Sequence, residues 1–360
     1  MRLNFSLPLN SVSFGQVSFN LLKEAYAKKL DISVFPIGNA DLSSYNIDSQ
    51  FAEWIKYSVD NNQSLFKRSD KTFKLWHLNG GAESFGEKQT LFSFYELDQP
   101  TDTEINIVNN LDKVIFSSSQ AVDLFKKAGC NNVHYVPLGF DSNSFSLTNK
   151  KYFNDDRIVF NLCGKLEKRK HHGKIIKAWI KKFGDNKKYF LQCAIYNNFL
   201  DEKTNLGLVS SFVGDRKYFN ISFLGHMPKN ELYNDFLNSS NIILGMSGGE
   251  GWGLPEFHSV ALGKHSVILN AHSYKDWANE KNSILVEPNK EKISSEDGVF
   301  FRKGTKFNQG DLFDFNEDEF IDACEKAIKR VEENDVNKEG LKLQKDFTYA
   351  KTLNKILEIL

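Results

Sequence analysis

The sequence predicts an α/β protein built from two Rossmann-like, doubly wound domains. Three observations carry that reading. Apolar runs of strand length alternate with helical stretches along the chain, which is the pattern of parallel sheets. A glycine-rich stretch, Gly248-Gly-Glu-Gly-Trp-Gly253, lies between the apolar run Asn241-Ile-Ile-Leu244 and a helix start marked by Pro255, since proline suits the first helical turn. The length of 360 residues exceeds one ordinary domain and fits two, each large enough to bury its own core.

In the first half, residues 2–7 read as a strand, 10–17 as a loop and 18–29 as a helix with Phe19, Leu22 and Tyr26 on one face; residues 31–36 form the next strand. This is a βαβ unit, and its loop sits at the carboxyl end of the strand, where such sheets bind ligands. Residues 73–77 make a further strand that ends at Leu78-Asn-Gly-Gly81. Residues 90–100 are apolar before turning acidic at Glu96 and Asp98, as a buried strand emptying into a loop would be; Asp98 reads as a solvated carboxylate or helix cap. A strand at 113–119 leads to a helix at 120–127 stopped by Gly129, and His134 to Asp141 supplies the closing strand and turn. The polar segment 142–156 holds the linker, which divides the chain into domains at 1–145 and 157–340, a connection at 146–156 and a terminal helix at 341–360.

The second half opens with a strand at 157–164, the basic loop 165–170 and a helix at 172–183. Strands follow at 189–194, 221–224, 241–244, 266–270 and 282–287, with helices at 230–238 and 317–332. Within the basic loop, Lys168 and Arg169 read as a solvated charge run.

Composition limits the class. Lys plus Arg and Asp plus Glu both total 46, so the net charge is zero, which argues against whole-molecule steering to nucleic acid. No apolar run approaches the roughly 20 residues needed to span a bilayer, and residues 1–8 lack a signal-peptide pattern. Cys130, Cys163, Cys193 and Cys324 have no paired spacing and read as thiols of a reducing cytoplasm. A cytoplasmic location is expected, with peripheral contact to a membrane left open.

The glycine loop carries the chemistry. Its glycines remove side chains where a ligand comes close, and the free N–H groups of the following helix start suit phosphate. Glu250, the one carboxylate in the loop, is suited to accepting hydroxyl hydrogen bonds. The expected ligand therefore carries both phosphate and hydroxyls, as a nucleotide sugar does.

Glu250-Gly-Trp-Gly-Leu-Pro255, with its preceding strand and the following Ala261-Leu-Gly263, resembles the signature of retaining glycosyltransferases of family four, the group 1 enzymes. That resemblance implies the GT-B fold, two Rossmann-like domains facing a cleft with the last helix crossing back onto the first. It implies Lys165 and Lys170 on the donor diphosphate, Glu250 with the amides of Gly251, Trp252, Gly253 and Leu254 on the donor sugar, and Gly15 beside the phosphates. It places His77 at the reacting centre, which with Glu250, Lys165 and Lys170 makes up the expected catalytic set, and Phe14 and Glu96 on the acceptor side. The donor base falls between Gly225 and Ser240, with Asp276 and Trp277 bordering the site. The family carries a second glutamate, usually on the donor ribose, where this chain has His258. The implied partners are a nucleotide sugar and a saccharide or glycoconjugate acceptor, with a modified nucleic-acid base less favoured. There is no Asp-any-Asp motif, so neither a metal nor a cofactor is expected. Two other classes stay open: a non-catalytic nucleotide-sugar-binding protein, and an epimerase or phosphorylase-like enzyme on the same architecture.

Overall fold

A computed structural model describes residues 2–360. The first sheet contains β1 (Leu3–Leu7), β2 (Ile32–Pro36), β3 (Lys71–Leu75), β4 (Gln89–Ser93), β5 (Lys113–Phe116) and β6 (Val133–Tyr135), all parallel, in the order β2-β1-β3-β4-β5-β6. The second contains β7 (Ile158–Lys165), β8 (Tyr189–Tyr196), β9 (Ile221–Phe223), β10 (Ile242–Gly245), β11 (His265–Leu269) and β12 (Ile284–Val286), again parallel, in the order β12-β11-β10-β7-β8-β9. Both faces of each sheet must then be covered, and β1, β4, β10 and β11 are buried at every position. A short antiparallel hairpin, β13 (Ile293–Ser294) with β14 (Asp311–Leu312), stands apart from both sheets.

The covering helices of the first domain are α1 (Ser13–Ala27), α2 (Ser49–Asp60), the single turn α3 (Asn62–Leu65), α4 (Asp102–Asn110) and α5 (Ser119–Lys127). Those of the second are α6 (His172–Phe183), α7 (Glu202–Val213), α8 (Asn230–Asn238), α9 (Leu254–Ala261), α10 (Glu317–Glu333) and the short turns α11 (Lys338–Leu341) and α12 (Leu343–Asp346). Side-chain caps start many of them. Asp48, Ser118, Asp201 and Asn316 each accept from a backbone N–H of the first turn, and Thr101 with Glu104 forms a reciprocal capping box.

Two expectations are corrected here. The first helix begins at Ser13, so Gly15 lies in its first turn and not in a loop. There a Cβ would stand 2.1 Å from the Asn10 carbonyl oxygen, which is why glycine is needed. Asp98 is not solvated: it accepts from the Asp311 N–H at 2.8 Å and pairs with Lys292 of the hairpin.

The last helix, α13 (Tyr349–Ile359), leaves the second domain and packs on α1 of the first. The crossing is tight. Phe140 N–H donates to the Phe347 carbonyl at 2.9 Å, Thr352 Oγ1 donates to Pro137 O at 2.9 Å, and the Lys113 ammonium reaches the Ile359 carbonyl. At Gly139 a Cβ would meet the Tyr349 backbone nitrogen at 2.2 Å, an obstacle that cannot rotate away. Gly139→Val should therefore overpack this crossing and cost at least about 1–3 kcal/mol, read as a lower urea midpoint at unchanged slope; an unaltered midpoint would show that the crossing yields.

Candidate functional site

In the second sheet the chain runs outward from β7 to β8 and β9 on one side and from β10 to β11 and β12 on the other. The point between β7 and β10 is thus a topological switch point, whose crevice at the carboxyl ends of the strands is where open α/β sheets bind ligands. Lys165 ends β7, and the glycine loop follows β10. The doubly wound order therefore brings the two motifs of the second half to one place.

Arg169 is the centre of the arrangement. Its side chain is 8% exposed, and its guanidinium reaches Glu167 Oε1 at 2.6 Å, Glu250 Oε1 at 2.7 Å and Glu96 Oε1 at 2.9 Å. Nη1 also donates to the Gly249 carbonyl at 2.7 Å. The Arg169 carbonyl in turn accepts from Gly248 N–H at 2.7 Å and Ser247 Oγ at 3.1 Å. Lys170 pairs with Glu250, and Lys165 lies 3.0 Å from Glu167 Oε2 while its ammonium sits 4.1 Å above the Phe300 ring. Three cations thus face three carboxylates, and Glu96 belongs to the other domain. Burial alone would raise the Glu250 pKa, but Arg169 and Lys170 outweigh it and hold the carboxyl well below its usual range. The reading of Arg169 as solvated is corrected: a Lys-Arg-Lys run carries no mark of which member turns inward.

The glycine loop lies directly against the first domain. A Cβ on Gly249 would stand 2.5 Å from the Glu96 carbonyl oxygen, and one on Gly251 would stand 2.6 Å from Phe94 Cβ. Ser117 Oγ donates to the Gly251 carbonyl at 2.6 Å. Gly253 caps α9 at φ +79°, a left-handed conformation natural to glycine, and Leu254 and Pro255 open the helix. Trp252 is buried and its carbonyl accepts from Trp277 Nε1 at 3.0 Å, while Asp276 accepts from Ser119 N at 2.9 Å across the domain boundary.

Two histidines that the sequence reading passed over brace the loop. His171 and His272 have φ of +55° and +40°, uncommon for side-chain-bearing residues. His171 Nε2–H donates to Phe313 O at 2.8 Å, and His272 Nε2–H donates to Ser247 O at 2.7 Å. Strain of this kind gathers where the surroundings over-determine a site.

On the first-domain side, the Phe14 ring stacks on Phe94 at 4.3 Å and touches His77 at 4.5 Å. His77 lies two residues beyond β3, and desolvation by the protein around its ring, with Lys165 adding a like charge, lowers its pKa to about 4. Gly15 lies one residue beyond Phe14 in α1. His77, Phe14 and Glu96 are therefore brought toward the Lys165–Glu250 cluster. His258 faces elsewhere. It is 3% exposed, with its ring 4.6 Å from Phe145 and 5.8 Å from Phe140, and Nε2 has no hydrogen-bond partner. Glu256, two residues earlier, is a second buried carboxylate, after Glu250, whose charge acts on Lys170.

Among the described residues, no group of three or more His, Cys, Asp or Glu is placed to hold a metal ion, and no helix is long and apolar enough to cross a membrane. The four cysteines are buried and unpaired.

The chain matches no family model and no curated protein. Solved structures do resemble it along its length. Sucrose-phosphate synthase from Thermosynechococcus elongatus is 13% identical with a TM-score of 0.64, covering 99% of this chain and 98% of that one. Anabaena HepE in complex with UDP-glucose is 12% identical with a TM-score of 0.63 and the same coverage. The catalytic domain of starch synthase IV from Arabidopsis thaliana, bound to ADP and acarbose, is 9% identical with a TM-score of 0.68, again covering 99% and 98%. At such identities the likeness is one of fold, and the fold is GT-B.

Two outcomes follow from the geometry. Arg169→Met strands buried carboxylates and should cost about 3–5 kcal/mol in equilibrium unfolding; a loss below about 1 kcal/mol would mean that Lys165 and Lys170 suffice to neutralise them. Burial pushes the His258 pKa down to about 3, against roughly 6.5 in the unfolded chain. The unfolded state then takes up the proton first, so this stability is complete above about pH 6.5 and is lost as pH falls toward 3. His172 and His272 act with the same sign. His258→Phe should make the acid loss shallower by roughly 1 kcal/mol per pH unit between about pH 6 and 4, and equal slopes in variant and parent would exclude His258 as a source.

Proposed function

We propose that the protein is a retaining glycosyltransferase that moves a sugar from a nucleoside-diphosphate donor to a hydroxyl of a saccharide or glycoconjugate. The observation that carries this reading is the convergence of the glycine loop, Glu250 and the three cations Lys165, Arg169 and Lys170 at the switch point of the second domain, opposite His77 and Phe14 of the first. The nucleotides named for HepE and starch synthase IV support it as properties of proteins sharing this fold.

In the proposed reaction the bond between the sugar C1 and the diphosphate oxygen breaks while the acceptor oxygen bonds to C1 on the same face. The acceptor proton passes to the departing phosphate oxygen. Lys165 and Lys170 stabilise the negative charge that grows on the diphosphate, an interaction stronger in the transition state than before it. Glu250 and the amides of residues 251–254 orient the donor sugar, Gly15 lies by the phosphates, and His77 and Glu96 act beside the acceptor. Residues 157–340 hold the donor and residues 1–145 the acceptor. With lysines and helix amides supplying positive charge, the reaction needs neither a metal nor a further cofactor, and the setting is the cytoplasm or a membrane surface facing it. Arg169 is a positioning residue in this scheme, holding Glu250 from behind.

His258 in its apolar pocket, where the resembled family carries a carboxylate, favours one second reading: a protein that binds the donor without turning it over.

A melting-temperature panel of UDP-, GDP-, ADP- and TDP-sugars should show a rise with one nucleotide class, because a ligand of the native state alone stabilises by mass action. In turnover with that donor, Lys165→Ala and Lys170→Ala should each lose about 100-fold or more in kcat. Near-normal rates in both variants would overturn the assignment, and binding without transfer or donor hydrolysis would establish the second reading.

A further inference from the structure

The first sheet has a switch point of its own. β1 is flanked by β2 on one side and β3 on the other, so the chain reverses its direction of travel between β1 and β3. A cavity of about 210 Å³ opens at the carboxyl ends of these strands. It is lined by Ser6, Lys74, Trp76, Glu83 and Phe85 among others, and its volume corresponds to about seven waters, room for one small ring.

Lys74 is the anomaly in this wall. It is 4% exposed on an inner strand whose neighbours Thr72, Phe73 and Leu75 are fully buried. Its ammonium donates to the carbonyls of Gly80 and Glu83, the latter at 2.9 Å. The nearest carboxylate, also Glu83, is 3.7 Å away on a side chain that is 88% exposed. A buried lysine in such a strand costs stability that an apolar residue would not. Burial lowers its pKa, and Glu83 restores only part of the shift. A cation at a cavity wall, with its counter-charge held loosely at the surface, is the chemistry that receives an anion. Trp76 and Phe85 line the same cavity with apolar surface suited to the C–H side of a sugar ring, Phe85 being braced by Phe35 at 4.6 Å and Phe66 at 5.4 Å. Trp76 also lies 5.3 Å from His77 and 5.8 Å from Phe14, so the cavity adjoins the first-domain side of the cleft.

We infer that this cavity is the subsite for an acceptor sugar unit bearing an anionic group, a carboxylate or a phosphate, with Lys74 as the partner of the anion and Trp76 as the platform for the ring. The word acceptor rests on the transferase reading; the binding does not.

The test is calorimetric titration of the full chain with glucuronate, glucose 6-phosphate and glucose. At least one anionic sugar should bind about tenfold or more tightly than glucose, and which of the two does so tells carboxylate from phosphate. Lys74→Met should abolish the preference and Lys74→Arg keep it. Glu83→Gln, at an exposed side chain, should tighten anionic sugars and leave glucose unchanged, and Ser84→Trp in the cavity wall should block all three. The last two variants decide the matter should Lys74→Met fail to fold. Equal binding of charged and neutral sugars, no binding of any, or indifference to Glu83→Gln would overturn the inference. Nucleotides measured on the same sample separate the two claims: nucleotide binding without anionic-sugar binding overturns this subsite alone, and the reverse overturns the transferase reading alone.

Discussion

Everything at the cleft depends on neutralising charge that is buried between two domains. One guanidinium does most of it. The planar fork of Arg169 presents several N–H donors in fixed directions, and it meets Glu167 and Glu250 from its own domain and Glu96 from the other. A buried ionic cluster of this kind seldom stabilises a protein more than apolar residues of the same shape would, because each charge has been stripped of water. What it does supply is a tie between the domains, since the same guanidinium holds Glu250 and the Gly249 carbonyl of the loop and Glu96 of the first domain. On the transferase reading, a diphosphate entering this cluster exchanges carboxylate partners for phosphate oxygens. Donor binding and the contact between domains are then two sides of one charge balance.

The glycines gain a second meaning from this packing. In the sequence they read as bare backbone for a ligand to approach closely. In the folded chain Gly249 and Gly251 first permit the approach of the other domain, at Glu96 and Phe94. The two uses are compatible if the ligand and the first domain meet the same bare stretch of backbone. The hairpin of β13 and β14 adds a separate tie, through Asp98 and through the Asn308 N–H on Glu104 Oε1 at 3.0 Å.

Much of the architecture was legible because parallel strands covered on both faces leave short apolar runs, and because turn and cap residues mark where helices start and stop. Helix α6 was read with the bounds it has, His172–Phe183. Helix α1 was read five residues short at its start because no side chain caps it and because Gly15 looks like a loop residue. Helices α2, α4 and α7 went unassigned: the apolar residues of α4 and α7 are interrupted by polar ones, whereas α2 carries a legible stripe at Phe51, Trp54, Ile55 and Val59. At the site, Lys165, Lys170 and Glu250 were named through the family resemblance, and the fold brings them to one place. Arg169 was not, since its partner Glu96 is distant in sequence and nothing local distinguishes an inward arginine from a solvated one. The seat of His258 among Phe140 and Phe145 was equally hidden, because both rings come from the other half of the chain, Phe140 from the turn closing the first domain and Phe145 from the polar segment after it.

The path of α13 bears on how the molecule is made. Its seat is α1, at the opposite end of the chain, so the first domain cannot finish its surface until the second has left the ribosome. Contacts of such long sequence separation form late and slowly. Until α13 docks, the face of α1 that it covers is open to other apolar surfaces, and the newly made chain depends on the second domain folding promptly enough to deliver its last helix.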